Sequence, residues 1–285
     1  MVGKIGNDDF GTSLRQYLIE SEVDVRWVEV VEEEGVGSGV ATILVEEETG
    51  ENRILITSGA NGYLKPSEEE YREYFGKRED GEREFVILQN EYPDTISSID
   101  WIKGNRPHVR ICYNPSPFDP ELIDLEMLGK LDMLIVNEGE AMDVAKCVLG
   151  SSELKKFETE IENDEVKGFK ELAEKLQSLI NDKNEGYVII TLGSKGVVYV
   201  SQELESPKFE PARKVKNVVD TTGAGDTFFG GVVSSLARGI SIEHAVRFAT
   251  AASSLAVQKR GAAEGIPMFE DVFNIIDDND KSLLK

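Results

Sequence analysis

Cysteine and histidine are scarce: the chain has two of each in 285 residues. Cys112 and Cys147 lie far apart and form no paired Cys-x-x-Cys motif, so neither a disulfide framework nor a cysteine zinc site is indicated. Each reads as a small buried hydrophobe, which suits a reducing compartment. His108 and His244 are too few for a histidine-rich metal site and read as structural. No apolar run approaches the roughly 18 residues of a membrane span. The first nine residues carry no apolar stretch and no small-residue cleavage site. A soluble intracellular protein is expected, cytoplasmic, with the nucleus also open. Basic charge is outweighed, with 31 Lys and Arg against 54 Asp and Glu and a net charge of −23. A nucleic-acid partner, which needs clustered cations, is thereby disfavoured. A small polyanion is not, because backbone N–H groups at a helix start hold one whatever the overall charge. There is no Gly-x-x-x-x-Gly-Lys-Ser/Thr loop. Gly35-Val36-Gly37-Ser38-Gly39 lacks the dinucleotide spacing and is followed by β-like sequence. The acid runs at 32–34, 46–48, 68–70 and 158–165 suit solvated faces.

What is present is a chain of adequate apolar content, 40% hydrophobic, with no internal repeat. Residues 8–20 predict an amphipathic helix with Phe10, Leu14 and Leu18 on one face. Strands are predicted at 23–31, 40–45 and 53–57, the last two joined through a turn at 48–52. From residue 85 the rhythm becomes βαβα. Apolar strands are predicted at 85–88, 109–113, 133–136, 187–191 and 196–200. Helices are predicted at 96–102, 120–128, 168–181, 227–238 and 242–259. Short apolar strands alternating with helices predict an α/β fold, a parallel sheet covered on both faces. Segment 151–168 is polar and weakly periodic and is expected to be a partly disordered surface insertion. The tail from Asp277 is expected to fray.

The strongest chemical signal is Asp220-Thr221-Thr222-Gly223-Ala224-Gly225-Asp226-Thr227, which follows the strand-like run 215–219 and opens a helix. Its glycines permit a tight turn and a close backbone approach. Amides at the helix start then converge on an anion, so Thr222, Gly223, Ala224 and Gly225 form a candidate anion hole. Asp226 can face the same spot and accept a hydroxyl proton as phosphorus is attacked. A capped Gly-rich turn is the plainer reading, and the length of the string disfavours it.

This string resembles the C-terminal signature of the ribokinase family, the PfkB carbohydrate kinases. The resemblance implies a three-layer ribokinase-like α/β fold in one domain over 1–285, with lid-type strands at 23–57. Asn137-Glu138-Gly139-Glu140 resembles the family's Asn-x-x-Glu motif, which implies Asn137 near the phosphates and Glu140 on Mg²⁺ through water. By itself the motif suits plain helix capping. Thr191, Leu192, Gly193, Ser194, Lys195 and Gly196 resemble the family's nucleotide loop, and would equally suit a hairpin turn. Thr250 falls near the family's adenine pocket, and Gly225 and Asp226 complete the implied ATP contacts. The stretch 255–267 resembles the ribokinase cation loop, which implies K⁺ held by Asp220, Thr222, Ala256, Lys259, Gly261 and Gly265. An ordinary helix C-cap at Gly261 is the plainer reading. Leu88-Gln89-Asn90-Glu91 resembles a ribokinase stretch whose Glu binds a sugar hydroxyl, so Glu91 and Asp226 are the implied substrate contacts. Gly59-Ala60-Asn61 resembles a Gly-Ala-Asn at the end of the family's lid strands.

The family's N-terminal strand with its Asn-x-Asp sugar contact is not found here, nor is its Gly-Gly-Lys-Gly-Ala-Asn stretch. The expectation is a sheet incomplete at its N-terminus and a truncated gene model or fragment. The implied function is ATP-dependent phosphorylation of D-ribose at its 5-hydroxyl. Another sugar or nucleoside kinase of the family, or a non-catalytic nucleotide-binding remnant, stays open. Lid strands of this family often pair between subunits, so the resemblance allows a homodimer.

Overall fold

The computed structural model describes residues 1–45, 52–76, 83–181 and 185–283. The chain forms two compact units. The first is 1–80 with 89–106, and the second is 81–88 with 107–285.

In the first unit, β1 (Val2–Gly6) leads into α1 (Asp9–Glu20) and β2 (Trp27–Val31). Asp8 caps α1 by accepting from the Gly11 amide at 2.7 Å. The same carboxylate accepts from the Ser38 amide and hydroxyl, both at 2.7 Å, which ties the 37–39 loop to the helix start. β1 and β2 pair in parallel. β3 (Val40–Val45) and β4 (Asn52–Thr57) form a separate antiparallel pair. The expected lid strands therefore divide: 27–31 pairs with β1, a strand the sequence pattern did not reveal, and only 40–57 forms the hairpin-like pair. The turn expected at 48–52 and the acid run 46–48 fall on residues outside the described set, Asn52 excepted. α2 (Glu68–Tyr74) starts with a capping box between Ser67 and Glu70, and α3 (Thr95–Asn105) completes the unit. The interior here is aromatic. Tyr71 stacks on Trp101 at 5.0 Å, and Tyr74 meets Trp27 edge-on at 5.2 Å. The expected helix at the start is present, but its apolar side is uncovered, with Phe10 67% and Leu14 50% exposed.

The second unit is built on a six-stranded sheet. Its strands are β5 (Phe85–Leu88), β6 (Arg110–Tyr113), β7 (Met133–Asn137), β8 (Tyr187–Thr191), β9 (Gly196–Val200) and β10 (Lys208–Pro211). They lie in chain order, with β5 to β8 parallel and the last two pairings antiparallel. Strand periodicity divides their side chains between two faces. Met133, Ile135, Tyr187, Ile189, Val197 and Tyr199 pack under α8 (Ala224–Ala237) and α9 (Ile242–Ala256). The opposite face, with Leu134, Val188, Ile190 and Val198 fully buried, is covered by α5 (Glu138–Val148) and α7 (Glu165–Gln177). Three layers result. This is an α/β fold with a mostly parallel central sheet.

Three local expectations change. Segment 151–168 is regular: α6 (Ser151–Asn163) runs into α7, which Asp164 caps by accepting from the Lys167 amide. Phe157 buries one side of α6, enough to order a charged helix that weak periodicity disguises. The helix expected over 120–128 is split into a 3₁₀ turn at 120–122 and α4 (Leu125–Lys130), because Asp124 caps a new start by accepting from the Met127 amide. The 215–219 run joins no strand; the Val219 amide donates to the Val257 carbonyl instead. The tail continues as α10 (Phe269–Ile275) and α11 (Asp278–Leu283), the latter held by the buried Asp280 on Arg247. No helix among the described residues is long and apolar enough to cross a membrane.

Candidate functional site

The 220–226 string folds as a turn that feeds α8. Gly223 is the residue before the helix, in the left-handed region at φ 75°, where L side chains are strained. A Cβ there would also stand 2.9 Å from the Ala262 carbonyl oxygen, so glycine is required twice over. Of the four candidate anion-hole amides, two are spent within the turn. Thr222 donates to Asp220 Oδ1 at 2.9 Å, and Ala224 to the Thr221 carbonyl at 3.2 Å. The amides of Gly223 and Gly225 make no hydrogen bond among the described residues. They stand at the positive end of a 14-residue helix. Asp226 lies exposed in the first turn of that helix.

Asp220 is the tie between this turn and the 256–265 loop. Its Oδ2 accepts from the Gly261 amide at 3.1 Å. Bonds from the Thr222 backbone first, then its side chain, then the Gly261 backbone, hold the Asp220 carboxyl below the usual carboxylate range. Ser253 Oγ adds a second tie, donating to the Ala224 carbonyl at 2.9 Å. Within the loop, carbonyls converge on Gly265. A Cβ on that residue would stand 2.6, 3.5 and 3.6 Å from the oxygens of Gly261, Ala256 and Ala262. This is the kind of concave carbonyl cluster that suits a weakly hydrated monovalent cation, and the missing side chain keeps it open. Ala256 and Gly261 are two of the expected cation-loop residues, and their carbonyls both face this spot. Ala262 was missed, since a backbone carbonyl leaves no mark on residue type. Lys259 serves the loop through its amide, which donates to the Ala256 carbonyl at 3.0 Å.

A second group forms where β7 and β8 end. Parallel register sets Asn137 beside Thr191. Asn137 caps α5: its Oδ1 accepts from the Glu140 amide at 2.9 Å, and Glu140 Oε2 accepts from the Asn137 amide at 3.0 Å. The geometry is that of a capping box, which leaves Glu140 Oε1 without a bond among the described residues. The loop 192–196 is likewise a tight β8–β9 connection, with the Leu192 amide donating to the Gly196 carbonyl at 2.8 Å. Gly193 has φ 51° there. Ser194 and Lys195 are exposed, and Lys195 donates to Glu165 at the start of α7, which raises its pKa. Both groups belong to the second unit.

Three further candidates are found elsewhere along the chain. Thr250 is buried in α9, and its hydroxyl has no hydrogen-bond partner among the described residues. Glu91 belongs to the first unit, in the bend after β5. Ala60 is fully buried in a 3₁₀ turn of that unit, its amide donating to the Gly37 carbonyl at 2.9 Å. The sequence reading also missed Asn114, at the end of β6, whose Nδ2 donates to Glu140 Oε2 at 3.1 Å and to the Ile135 carbonyl at 3.0 Å. Its place after a buried strand and before Pro115 marked only a strand end. A cavity of about 340 Å³ runs from Asp226 along α8, walled by Ser234, Phe248 and Phe269. Among the described residues no three His, Cys, Asp or Glu side chains cluster as a metal cage. A divalent ion bound largely through phosphate and water oxygens, the usual manner for Mg²⁺, needs no such cage.

The model of the pfkB family carbohydrate kinases matches residues 1–268. The chain is 32% identical over 274 residues to the ribokinase of Lactococcus lactis, covering 95% of this chain and 77% of that protein. Among solved structures, it resembles the ribokinase of Cryptococcus neoformans var. grubii in complex with ADP, at TM-score 0.76 and 28% identity over 96% of this chain and 82% of that one. It also resembles the Arabidopsis thaliana ribokinase complexed with ribose and ATP, at TM-score 0.73 and 26% identity over 96% of this chain and 80% of that one.

Proposed function

Since the chain belongs to the pfkB family of carbohydrate kinases, we propose that it transfers the γ-phosphoryl group of ATP to the 5-hydroxyl of D-ribose. The observation that carries the reading is the turn at the head of α8. It offers two unbonded glycine amides, a helix N-terminus and an exposed carboxylate within four residues. Similarity to ribokinases, one of them solved with ribose and ATP, supports the choice of acceptor.

In this reading the Asp226 carboxylate accepts the proton of the attacking hydroxyl as the oxygen closes on phosphorus. The amides of Gly223 and Gly225, backed by the α8 dipole, stabilise the negative charge on the equatorial oxygens of the transferring group. Asn137 and the 191–196 loop, side by side at the strand ends, hold the nucleotide, and Thr250 borders its base. Lys195 lends positive charge at the loop, shared with Glu165. Glu91 is assigned a sugar hydroxyl on the resemblance alone. Glu140 would hold Mg²⁺ through water, and the ion when bound neutralises charge on the β- and γ-phosphates. The carbonyls of Ala256, Gly261 and Ala262, with Asp220 behind them, would hold K⁺, which when bound adds positive charge beside the anion hole.

The deciding assay is coupled ADP release by the purified chain with Mg²⁺-ATP, K⁺ and a panel of sugars and nucleosides. Turnover that depends on D-ribose and rises with K⁺ supports the reading. Turnover on a nucleoside alone, or ATP binding without turnover on any acceptor, overturns it.

A further inference from the structure

Glu140 has one carboxylate oxygen engaged twice and the other not at all. Oε2 accepts from the Asn137 amide at 3.0 Å and from Asn114 Nδ2 at 3.1 Å, and Oε1 has no partner among the described residues. The first bond is the ordinary reciprocal half of a capping box. The second comes from the residue that follows β6, 26 residues earlier in the chain. Asn114 itself is fixed from both sides. Its amide donates to the Leu88 carbonyl at 3.1 Å, and its carbonyl accepts from the Ser116 amide at 2.8 Å. The second hydrogen of Nδ2 goes to the Ile135 carbonyl at 3.0 Å. A carboxylate and a carbonyl only accept, so nothing but the NH₂ end of the side chain can stand here.

We infer that Asn114 is a positioning residue for phosphoryl transfer: it clamps Glu140 through Oε2 so that Oε1 is presented to the hydrated divalent ion of the nucleotide. The inference rests on the proposed role of Glu140. A carboxylate at a helix start can turn about three side-chain torsions. Two donors on one oxygen fix those torsions and leave the other oxygen for the ligand, the usual division of labour around metal-binding carboxylates. The donor is neutral, and that matters. A lysine at this place would clamp as well but would cancel the charge that attracts the cation. An aspartate would remove the donor and repel Glu140. An amide donates without either effect.

The competing account is that Asn114 merely staples β6 to β7 through the Ile135 carbonyl. A double-mutant cycle separates the two. Binding of a non-hydrolysable ATP analogue is measured by calorimetry with and without Mg²⁺, in wild type, Asn114→Ala, Glu140→Gln and the double variant, with thermal unfolding as the check on folding. The tightening by Mg²⁺ is expected to fall about tenfold in Asn114→Ala, in line with losses seen when partners of metal ligands are removed. In the Glu140→Gln background the same substitution is expected to change nothing further. Asn114→Leu, which keeps the branched shape of the asparagine but has no donor, should reproduce the alanine result and stands in if alanine unfolds the chain. Equal losses in both backgrounds, or an unchanged Mg²⁺ effect in a folded Asn114→Leu, would overturn the clamp. If Glu140→Gln alone leaves the Mg²⁺ effect intact, the role of Glu140 itself fails, and the clamp with it, an outcome visible without reference to Asn114.

Discussion

The two units reach order by different means. In the second, short strands bury both faces between helices, and Leu134, Val188, Ile189 and Ile190 are fully inaccessible. In the first, two separate strand pairs and three helices gather around stacked rings, Tyr71 on Trp101 and Tyr74 on Trp27, while α1 keeps Phe10, Leu14 and Ile19 exposed. The difference is one of redundancy. A sheet covered on both sides holds its strand ends in fixed register, so Asn137 and Thr191 are set side by side by the ladder itself. An aromatic cluster holds its elements through a few large contacts and fixes loop positions less fully.

The sharpest break in the comparison is chemical. Asp226→Asn should lower kcat by about 10³-fold, within the range for losing a general base, and leave nucleotide affinity nearly unchanged. Parallel steady-state kinetics and ATP-analogue titration check it, and retention of rate removes the role given to Asp226. Next in size is a core truncation in the second unit. Ile189→Ala should cost about 2–5 kcal/mol, as buried Ile-to-Ala changes do, read as a shift of the denaturation midpoint at constant slope. A smaller loss is expected at the α1 cap. Asp8→Ala should lower the thermal midpoint by a few degrees, since it releases the Gly11 amide, the Ser38 amide and the Ser38 hydroxyl together. This loss carries a pH signature. The Gly11 backbone bond first, then those of Ser38, hold the Asp8 carboxyl below its ordinary value. A depressed folded pKa stabilises above the unfolded value and ceases to do so as pH falls through the folded one. The gap between wild type and Asp8→Ala should therefore be full above about pH 4 and close on further acidification. The smallest effect is expected on the exposed side of α1. Leu14→Ser should change stability by no more than about 0.5 kcal/mol, and a large loss would show that Leu14 is covered in solution.

Legibility in the sequence follows the same divide. The strands at 187–191 and 196–200 were readable to the residue because buried strands are unbroken apolar runs, and 85–88 is such a run too, although Ile87 is exposed. The head of α8 was readable because its glycines answer to backbone demands that only glycine meets. β1 was not, since Val2–Gly6 has two glycines and a lysine and alternates only weakly. The order in α6 was hidden because a single buried Phe157 carries it. At the site, the Asn137–Glu140 reciprocity was legible in a four-residue motif, whereas the partners of Glu140 and of the loop carbonyls were not. Asn114 reaches Glu140 from 26 residues away, and Ala262 takes part through a peptide oxygen, which no residue pattern announces.

The first unit is discontinuous along the chain, and that sets a schedule during synthesis. Tyr71 and Phe75 have been made well before Trp101 and Arg106, against which they pack. Until the residues up to 106 have left the ribosome, the rings of Tyr71 and Phe75 lack Trp101, although β5 of the other unit has already emerged. The second unit waits longer still, because the turn at 220 is fastened by the Ser253 hydroxyl and the Gly261 amide. The segment bearing Asp226 is thus unfinished until nearly the whole chain exists. A nascent chain halted between residues 226 and 261 would carry the acid without the loop that fastens its turn.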